Sequence, residues 1–360
     1  MLILGLDIGG ANTKAALIRY QKGKIIDSYS YIEYFPFWEQ TIKDISRMFK
    51  RINSKILKEN NIAISELSNV AITITAELSD AFQTKREGII TILDALAKIY
   101  PKNCMKFINH DAFFYSFEEA KRDVNKISAA NWVSTSLFLG NHAKNCILID
   151  AGSTTIDIIP ILRGKPVAKG YNDITRLLNH ELIYTGGLRA TIPSITHFVP
   201  YHQKMVRISF EKFALVSDVH RILNHISEKE YLNDTADNRS KSLEDCYARL
   251  SRIICMDIES LSKEELDEIA RYIHEKQLEL IEKEFSLFYT ALIKRYADFK
   301  QEPLFIITGL AADFLIKQVL KKLGFQNIKD FKHVTNIPDN ISSSAFAVAG
   351  ALYQNFNSNK

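Results

Sequence analysis

Two stretches of the chain end an apolar run in Asp and place a Gly two residues later. They are Leu2-Ile-Leu-Gly-Leu-Asp-Ile-Gly-Gly-Ala-Asn-Thr-Lys14 and Cys146-Ile-Leu-Ile-Asp-Ala-Gly-Ser-Thr-Thr-Ile-Asp157. Each runs on into further apolar sequence (Ala15 to Arg19, Ile158 to Leu162) and then a turn, at Gly23-Lys24 and Gly164-Lys165. That is a glycine turn between antiparallel strands, present twice. Glycine lets backbone N–H groups approach an anion closely, and a strand-end Asp can hold a metal or polarise water. The candidate phosphate-binding residues are Gly9, Gly10, Asn12, Thr13 and Lys14 in the first turn. In the second they are Gly152, Ser153, Thr154 and Thr155. An ordinary hairpin explains one such turn. Two of them, facing one another, would grip a phosphorylated ligand from both sides.

Asp7 and Asp150 are themselves negative, so beside phosphate they make sense chiefly as ligands of Mg²⁺. Lys14, on the strand after the first turn, either reaches phosphate or faces solvent. Its counterpart is Asp157, so the two halves are not chemically equivalent. A third polar group gathers at another predicted strand end: Thr73, Thr75, Glu77 and Asp80, followed by Lys85 and Arg86. It is either a functional mouth or a capping cluster for the helix that follows. Asn131-Trp132 offers an aromatic wall or a core Trp. Arg189, after Gly186-Gly187, has the planar fork that clamps phosphate or carboxylate. The segment around Thr235, Asp237 and Arg239 is too polar for a core and reads as a lid or an exposed loop.

The elements that must position these residues follow from periodicity. Strands are expected near 2–8, 12–20, 25–31, 70–75 and 105–108, with helical spacing over 41–60, 87–100 and 116–139. After the second turn comes a polar, helix-rich insertion at about 209–295, including a helix over 261–288. A strand at 304–308 ends at Gly309, and a helix is expected over 311–323. A Ser-rich start at 342–344 introduces a small-residue helix, and the chain after Gln354 reads as frayed. The expected architecture is α/β: two actin-like, ribonuclease H-like domains flanking a ligand cleft. The first lobe spans 1–140 and the second 141–340, with 341–360 closing back on the first.

Composition narrows the function classes. The chain has 360 residues, enough for two domains, with 46% hydrophobic and 24% charged residues. Its formal charge of +4 and lack of a basic tract with interleaved aromatics argue against nucleic acid. No apolar run approaches a membrane span, and core sequence begins at the first residues, so a cytoplasmic protein without a leader is expected. The four cysteines lack metal-ligand spacing and read as reduced thiols. Nine histidines are scattered without a His-x-x-x-His pair, which argues against a catalytic zinc.

The turn at Asp7–Lys14, the turn at Ile149–Asp157 and the segment Ile307-Thr-Gly-Leu-Ala311 resemble the phosphate and adenosine motifs of the actin, hexokinase and Hsp70 superfamily. Other segments are absent from typical sugar kinases: Thr73–Asp80 with Lys85–Gly88, Ala129–Trp132, Tyr184–Arg189, and Thr235–Arg239 with Arg249 and Arg252. Together they resemble the hydantoinase/oxoprolinase-related proteins linked to the tetrahydromethanopterin C1 pathway, and among these the synthases of methanofuran biosynthesis. The resemblance implies alkyl transfer on a kinase-like fold. An (aminomethyl)furan-methyl diphosphate would be joined to γ-glutamyltyramine as an aryl ether, with release of diphosphate. It implies Mg²⁺ as cofactor and ATP not as a co-substrate. Asp7, Asp150, Glu77, Asp80 and Lys85 become the catalytic candidates, Glu77 or Asp80 as base for the phenol. Thr73, Thr75, Arg86, Asn131, Trp132, Arg189 and Gly309 become substrate-binding candidates. A homodimer is the default expectation. The alternatives are an ATP-dependent small-molecule kinase, a hydantoinase/oxoprolinase-type hydrolase, or a non-catalytic nucleotide sensor.

Overall fold

The computed structural model describes residues 1–338 and 342–358. The chain forms two compact units, one made of 1–147, 159–176 and 330–360, the other of 148–158 and 177–329. Among the described residues no helix is long and apolar enough to cross a membrane.

The first unit is built on six strands: β1 (Leu2–Ile8), β2 (Asn12–Gln21), β3 (Lys24–Tyr34), β4 (Asn69–Ile74), β5 (Met105–Ile108) and β6 (Phe114–Tyr115), in the order β3-β2-β1-β4-β5-β6. β1 pairs antiparallel with β2 and parallel with β4, and β4 parallel with β5. Every residue of β1 is buried, as a strand covered on both faces requires. Leu2, Leu4, Leu6 and Ile8 join a core with Met48, Phe49 and Ile52 of α1 (Ile42–Ile56) and Ile89 and Ile92 of α2 (Lys85–Ala97). The alternate residues Ile3, Gly5 and Asp7 fall on the opposite face by the strand's period of two. There the closing helix, Ser343–Ser358, crosses so closely that a Cβ on Gly5 would lie 2.0 Å from the Ala345 carbonyl oxygen. Glycine at position 5 therefore sets how near that helix comes to Asp7. This helix runs on through Ser358, past the frayed end expected after Gln354; residues 341, 359 and 360 lie outside the described ones.

The helical region expected over 116–139 consists of three helices: α3 (Phe117–Arg122), α4 (Val124–Ile127) and α5 (Asn131–His142). Asp123 leaves helical geometry, and Ala129 adopts a left-handed φ of 49°. The break has a use. Ala129 N–H donates to the Ile74 carbonyl at 2.9 Å, and Ser128 bridges to Ile74, so the bend lies against the end of β4.

The second sheet has the order β10-β8-β7-β13-β14, from β7 (Cys146–Ala151), β8 (Ile156–Leu162), β10 (Leu182–Ile183), β13 (Phe305–Thr308) and β14 (Ile328–Asp330). β9 (Lys165–Pro166) pairs with β8. α6 is Asp173–Leu178, and β11 (Phe198–Tyr201) and β12 (Lys204–Arg207) form a separate hairpin. The helix-rich part of the second unit comprises α7 (Val216–Ile222), α8 (Leu243–Arg252) and α9 (Lys263–Arg295). Ser262 caps α9, accepting from the Glu265 N–H at 3.2 Å. α10 (Lys317–Lys322), preceded by a π-helical turn at Ala312–Ile316, and α11 (Phe331–Thr335) follow, and Ser343–Ser358 is α12. The lid reading of 235–239 is overturned. Asp237 accepts from Arg249 at 3.1 Å and Arg252 at 2.9 Å, while Arg249, fully buried, also pairs with buried Asp218 at 2.8 Å. Removing one partner of such a pair strands a buried charge, so this segment is a structural latch.

Candidate functional site

In the first unit the functional side chains collect at the carboxyl ends of β1 and β4. β1 continues into a sheet neighbour on each side, β2 and β4, the point where open α/β sheets leave a crevice beyond their strand ends. Asp7 is paired in register with Lys14 on β2 and with Thr73 on β4. Its carboxylate is buried; Oδ2 accepts from Ser344 Oγ at 2.5 Å and lies 3.9 Å from Lys14 Nζ. Lys14 thus points at Asp7 rather than at bulk solvent. Thr75 Oγ1 donates to the Ile8 carbonyl at 3.5 Å.

Glu77 stands apart from the other carboxylates. It is 1% exposed, and neither carboxylate oxygen has a hydrogen-bond partner. Burial pushes its pKa up to about 7, opposed by nearby backbone amides and by Lys85, and reinforced by Asp173. Asn12 Oδ1, Thr73 Oγ1 and Ser79 Oγ are likewise buried without partners. Native proteins rarely leave such groups unmet, and a run of them around one pair of strand ends fits a ligand's polar atoms. Asp80, offered by the sequence as an equal base candidate, is exposed, as is Arg86. The helix cap is supplied by neither carboxylate. Thr84 Oγ1 accepts from the Glu87 N–H at 3.1 Å, and Glu87 accepts from the Gln83 N–H at 2.9 Å. Glu77 is therefore free of the capping duty that was its bland explanation. Lys85, half-buried, is the first residue of α2, where the helix dipole disfavours a cation. Its attraction to Glu77 offsets part of that cost.

Three candidates sit differently from expectation. Thr13 is fully buried, and its hydroxyl meets Met48 Sδ at 3.3 Å, so its side chain belongs to the core. Asn131 is not a mid-helix residue but opens α5, where its carbonyl accepts from Ser134 and Thr135. Trp132 is buried with the Arg176 guanidinium 4.8 Å over its ring, and its indole N–H has no partner. Neither Arg176 nor Ser344 stands out as a site residue from sequence alone. Arg176 carried no signal, whereas the Ser-rich entrance to a small-residue helix was a usable one.

The second unit repeats the turn. Gly152 N–H donates to the Thr155 carbonyl at 2.9 Å, as Gly9 N–H donates to that of Asn12 at 3.0 Å. Both N–H groups are committed to closing their turns, so phosphate donation, expected along both whole loops, falls to the other loop residues. Leu188 and Arg189 N–H groups donate to the Ser153 carbonyl at 3.0 and 3.1 Å, placing Arg189 beside this turn. Gly309 has a left-handed φ of 91°, and a Cβ there would lie 2.7 Å from Asp150 Oδ1. Any side chain would collide with the carboxylate, so this glycine frames Asp150. One carboxylate ends β1 and one ends β7. Each, within its own unit, is a hard oxygen donor of the kind that suits Mg²⁺. The second unit also holds a cavity of about 320 Å³ lined by Leu182, Ile183, Tyr184, Thr185, Leu280 and Glu284 among others, which periodicity alone gave no means of locating.

Comparison with known proteins places these features. Residues 68–355 match the hydantoinase/oxoprolinase family. The chain is 34% identical over 354 residues, 98% of both chains, to the (4-{4-[2-(gamma-L-glutamylamino)ethyl]phenoxymethyl}furan-2-yl)methanamine synthase of Methanocaldococcus jannaschii. It is 33% identical over 187 residues to the protein of the same name from Methanococcus vannielii, covering 52% of this chain and 80% of that one. Among solved structures, nucleotide-free acetone carboxylase is similar with a TM-score of 0.54 at 12% identity, over 96% of this chain and 70% of that one. At that identity the likeness speaks to fold: each unit is of the actin-like α/β type.

Proposed function

The chain belongs to the hydantoinase/oxoprolinase family, and within it to the synthases typified by the Methanocaldococcus jannaschii protein; from this premise we propose that it is a transferase that makes the aryl ether of a methanofuran precursor. The donor is an (aminomethyl)furan-methyl diphosphate, the acceptor γ-glutamyltyramine. The product is (4-{4-[2-(γ-L-glutamylamino)ethyl]phenoxymethyl}furan-2-yl)methanamine, released with diphosphate.

The observation that supports this reading most is Glu77, a buried carboxylate whose pKa of about 7 suits a general base near neutral pH. A phenol, with an ordinary pKa of about 10, is a poor nucleophile until its proton is taken. Glu77 accepts that proton, and the phenolate oxygen attacks the furan-bound methylene carbon. The bond from that carbon to the diphosphate oxygen breaks, and its electron pair leaves with the diphosphate. Lys85, beside Glu77, favours the phenolate by its positive charge. In the first unit the N–H groups of the loop residues beyond Gly9 receive phosphate oxygens, with Lys14 near them; the loop beyond Gly152 offers the same kind of donors in the second unit. A Mg²⁺ ion at either turn would be held by that turn's own carboxylate, Asp7 or Asp150, and would supply charge stabilisation to the leaving group. Trp132 and Arg176 serve as a fixed wall beside the aromatic substrates.

The test is direct. Purified protein incubated with the furan diphosphate, γ-glutamyltyramine and Mg²⁺, with no ATP present, should yield the ether and one diphosphate per ether. An absolute need for ATP, or ATP cleavage without ether, would overturn the reading in favour of a kinase or ATP-dependent hydrolase.

A further inference from the structure

Three of the histidines that looked scattered in the sequence meet in the second unit. His220, His225 and His274 each offer one ring nitrogen within 4.8 Å of the others. His220 lies on α7, and a left-handed turn at Asn224 (φ 60°) folds the chain back so that His225 N–H donates to the His220 carbonyl at 2.9 Å. This brings His225 Nδ1 to 3.1 Å from His220 Nδ1. His274 comes from α9, which packs against α7.

The surrounding bonds fix which nitrogens point inward. Gln277 Nε2 donates to Thr185 Oγ1 at 2.9 Å and to the Gly186 carbonyl at 3.0 Å, so its Oε1 must accept from His220 Nε2–H at 3.0 Å. That leaves His220 Nδ1 with a lone pair. In the same way His274 Nε2 meets Gln318 Oε1 at 3.3 Å, leaving Nδ1 as its acceptor. A hydrogen bond between His220 and His225 would satisfy two of the three rings. It does nothing for His274 Nδ1, which is buried without a partner. Leaving a buried polar atom unmet is a cost that a bound cation removes.

We propose that His220, His225 and His274 form a binding site for a divalent zinc-type metal ion, with Gln277 and Gln318 as its outer partners. Three neutral imidazoles with an open fourth position suit tetrahedral Zn²⁺. Zinc–nitrogen bonds of about 2.0–2.1 Å place tetrahedral ligands about 3.3 Å apart, close to the His220–His225 spacing. Side-chain rotation, easiest for half-exposed His225, closes the remaining gap. Phe314, with its centroid 4.5 Å from His220 and 5.2 Å from His225, walls the site with carbon. Outer amides that orient metal-bound imidazoles are a recurring feature of built metal sites. Here one of them leads further. Gln277 grips Thr185–Gly186, and the next residue's N–H donates to the Gly152 carbonyl at 3.0 Å, followed by the two bonds to Ser153. The metal thus braces the second glycine turn and acts as a positioning element for it.

The proposal is independent of the ether-forming reaction, and its readouts are not activity. Full-length protein stripped with chelator and titrated with Zn²⁺ should take up one ion per chain with high affinity. The Co²⁺-loaded protein should show the intense visible bands of four-coordinate geometry. His225→Ala, chosen because His225 is the least buried ligand, should weaken binding at least about 100-fold and abolish those bands. Gln277→Ala should weaken it about 10–100-fold. His225→Asn provides a second variant if the alanine unfolds the helix end. Zn²⁺ should slow amide hydrogen exchange at Gly187, Leu188 and Arg189 in the wild type. Equal Zn²⁺ affinity in wild type and the His225 variants, or a six-coordinate cobalt spectrum, would overturn the site. Unchanged exchange at those three amides with the metal bound would overturn its link to the turn.

Discussion

After β1, Asp7 is buried, hydrogen-bonded by Ser344 and 3.9 Å from a lysine ammonium. After β7, Asp150 is half-buried and framed by Gly309, and the position matching Lys14 is Asp157. The two turns close with the same hydrogen bond, of 3.0 and 2.9 Å. Duplication has kept the backbone device and let the chemistry around it diverge. The first turn carries its own compensating cation and lies in the unit that holds Glu77. At the second turn an aspartate stands where that lysine stands in the first, and the backbone of 187–189 braces the turn. On the proposed function, the first unit would carry proton transfer through Glu77 and the second would mainly hold anionic ligand.

Glu77→Gln should have the largest effect. If Glu77 takes the phenol proton, its loss should slow single-turnover ether formation about 10²–10⁴-fold and remove the rise in rate through about pH 7 expected of the wild type. The same substitution should raise stability. A carboxyl whose folded pKa lies above its unfolded value favours folding fully below about pH 4.5. That contribution is lost as pH rises through about 7. At pH 8 the Gln variant should therefore be more stable than wild type by up to about 3 kcal/mol, at ~1.4 kcal/mol per pH unit. Slower turnover in a more stable protein separates a base from a structural residue. Asp80→Asn, altering an exposed carboxylate, should leave both rate and profile as they are. A wild-type profile in the Gln variant would remove Glu77 from the chemistry.

Asp7→Asn should come next, with turnover down about 10²–10³-fold and the fold intact by circular dichroism, since Asn still accepts from Ser344. Asp150→Asn should cost less, because a more exposed charge works against a higher effective dielectric. Measured side by side, equal losses would mean that the two turns share one role despite their surroundings. A larger loss at Asp150 would reverse the assignment altogether.

Much of this fold was legible because its signals are local. The Asp–Gly turns, the apolar alternation of β1 and the Thr-rich end of β4 lie within short windows, and the strands formed close to where period-two patterning put them. What escaped depends on long-range meeting. Glu77 and Asp80 are indistinguishable as letters; only the packing of α2 and the bend at Ala129 buries one and leaves the other in water. Thr13 looked like a phosphate ligand until the side of β2 it occupies turned out to face Met48. The histidine cluster joins residues from two helices and a turn, at a spacing no motif would flag. Segment 235–239 was misread because polarity was taken for exposure, when Asp237 pairs with buried Arg249 and half-buried Arg252.

The smallest expected effect tests the bond from Ser344 to Asp7 at the first turn. Gly5 admits α12 to within contact of β1, and Ser344, in the helix's first turn, reaches Asp7 Oδ2 across a separation of 337 residues in sequence. A hydrogen bond to a charged group contributes about 1.5–3 kcal/mol, so Ser344→Ala should lower stability by about that much. If the bond's purpose is to aim the Asp7 carboxylate, turnover should also fall about tenfold, less than in Asp7→Asn because the charge remains. Ser344→Thr, which keeps a hydroxyl, should recover most of both losses. A double variant tells aiming from mere fastening of the helix: with Asp7→Asn already in place, Ser344→Ala should still cost stability but slow turnover no further. If it slows turnover by the same factor in either background, Ser344 acts on the rate without going through Asp7. The first turn would then owe its distinct chemistry to Lys14 and Glu77 alone.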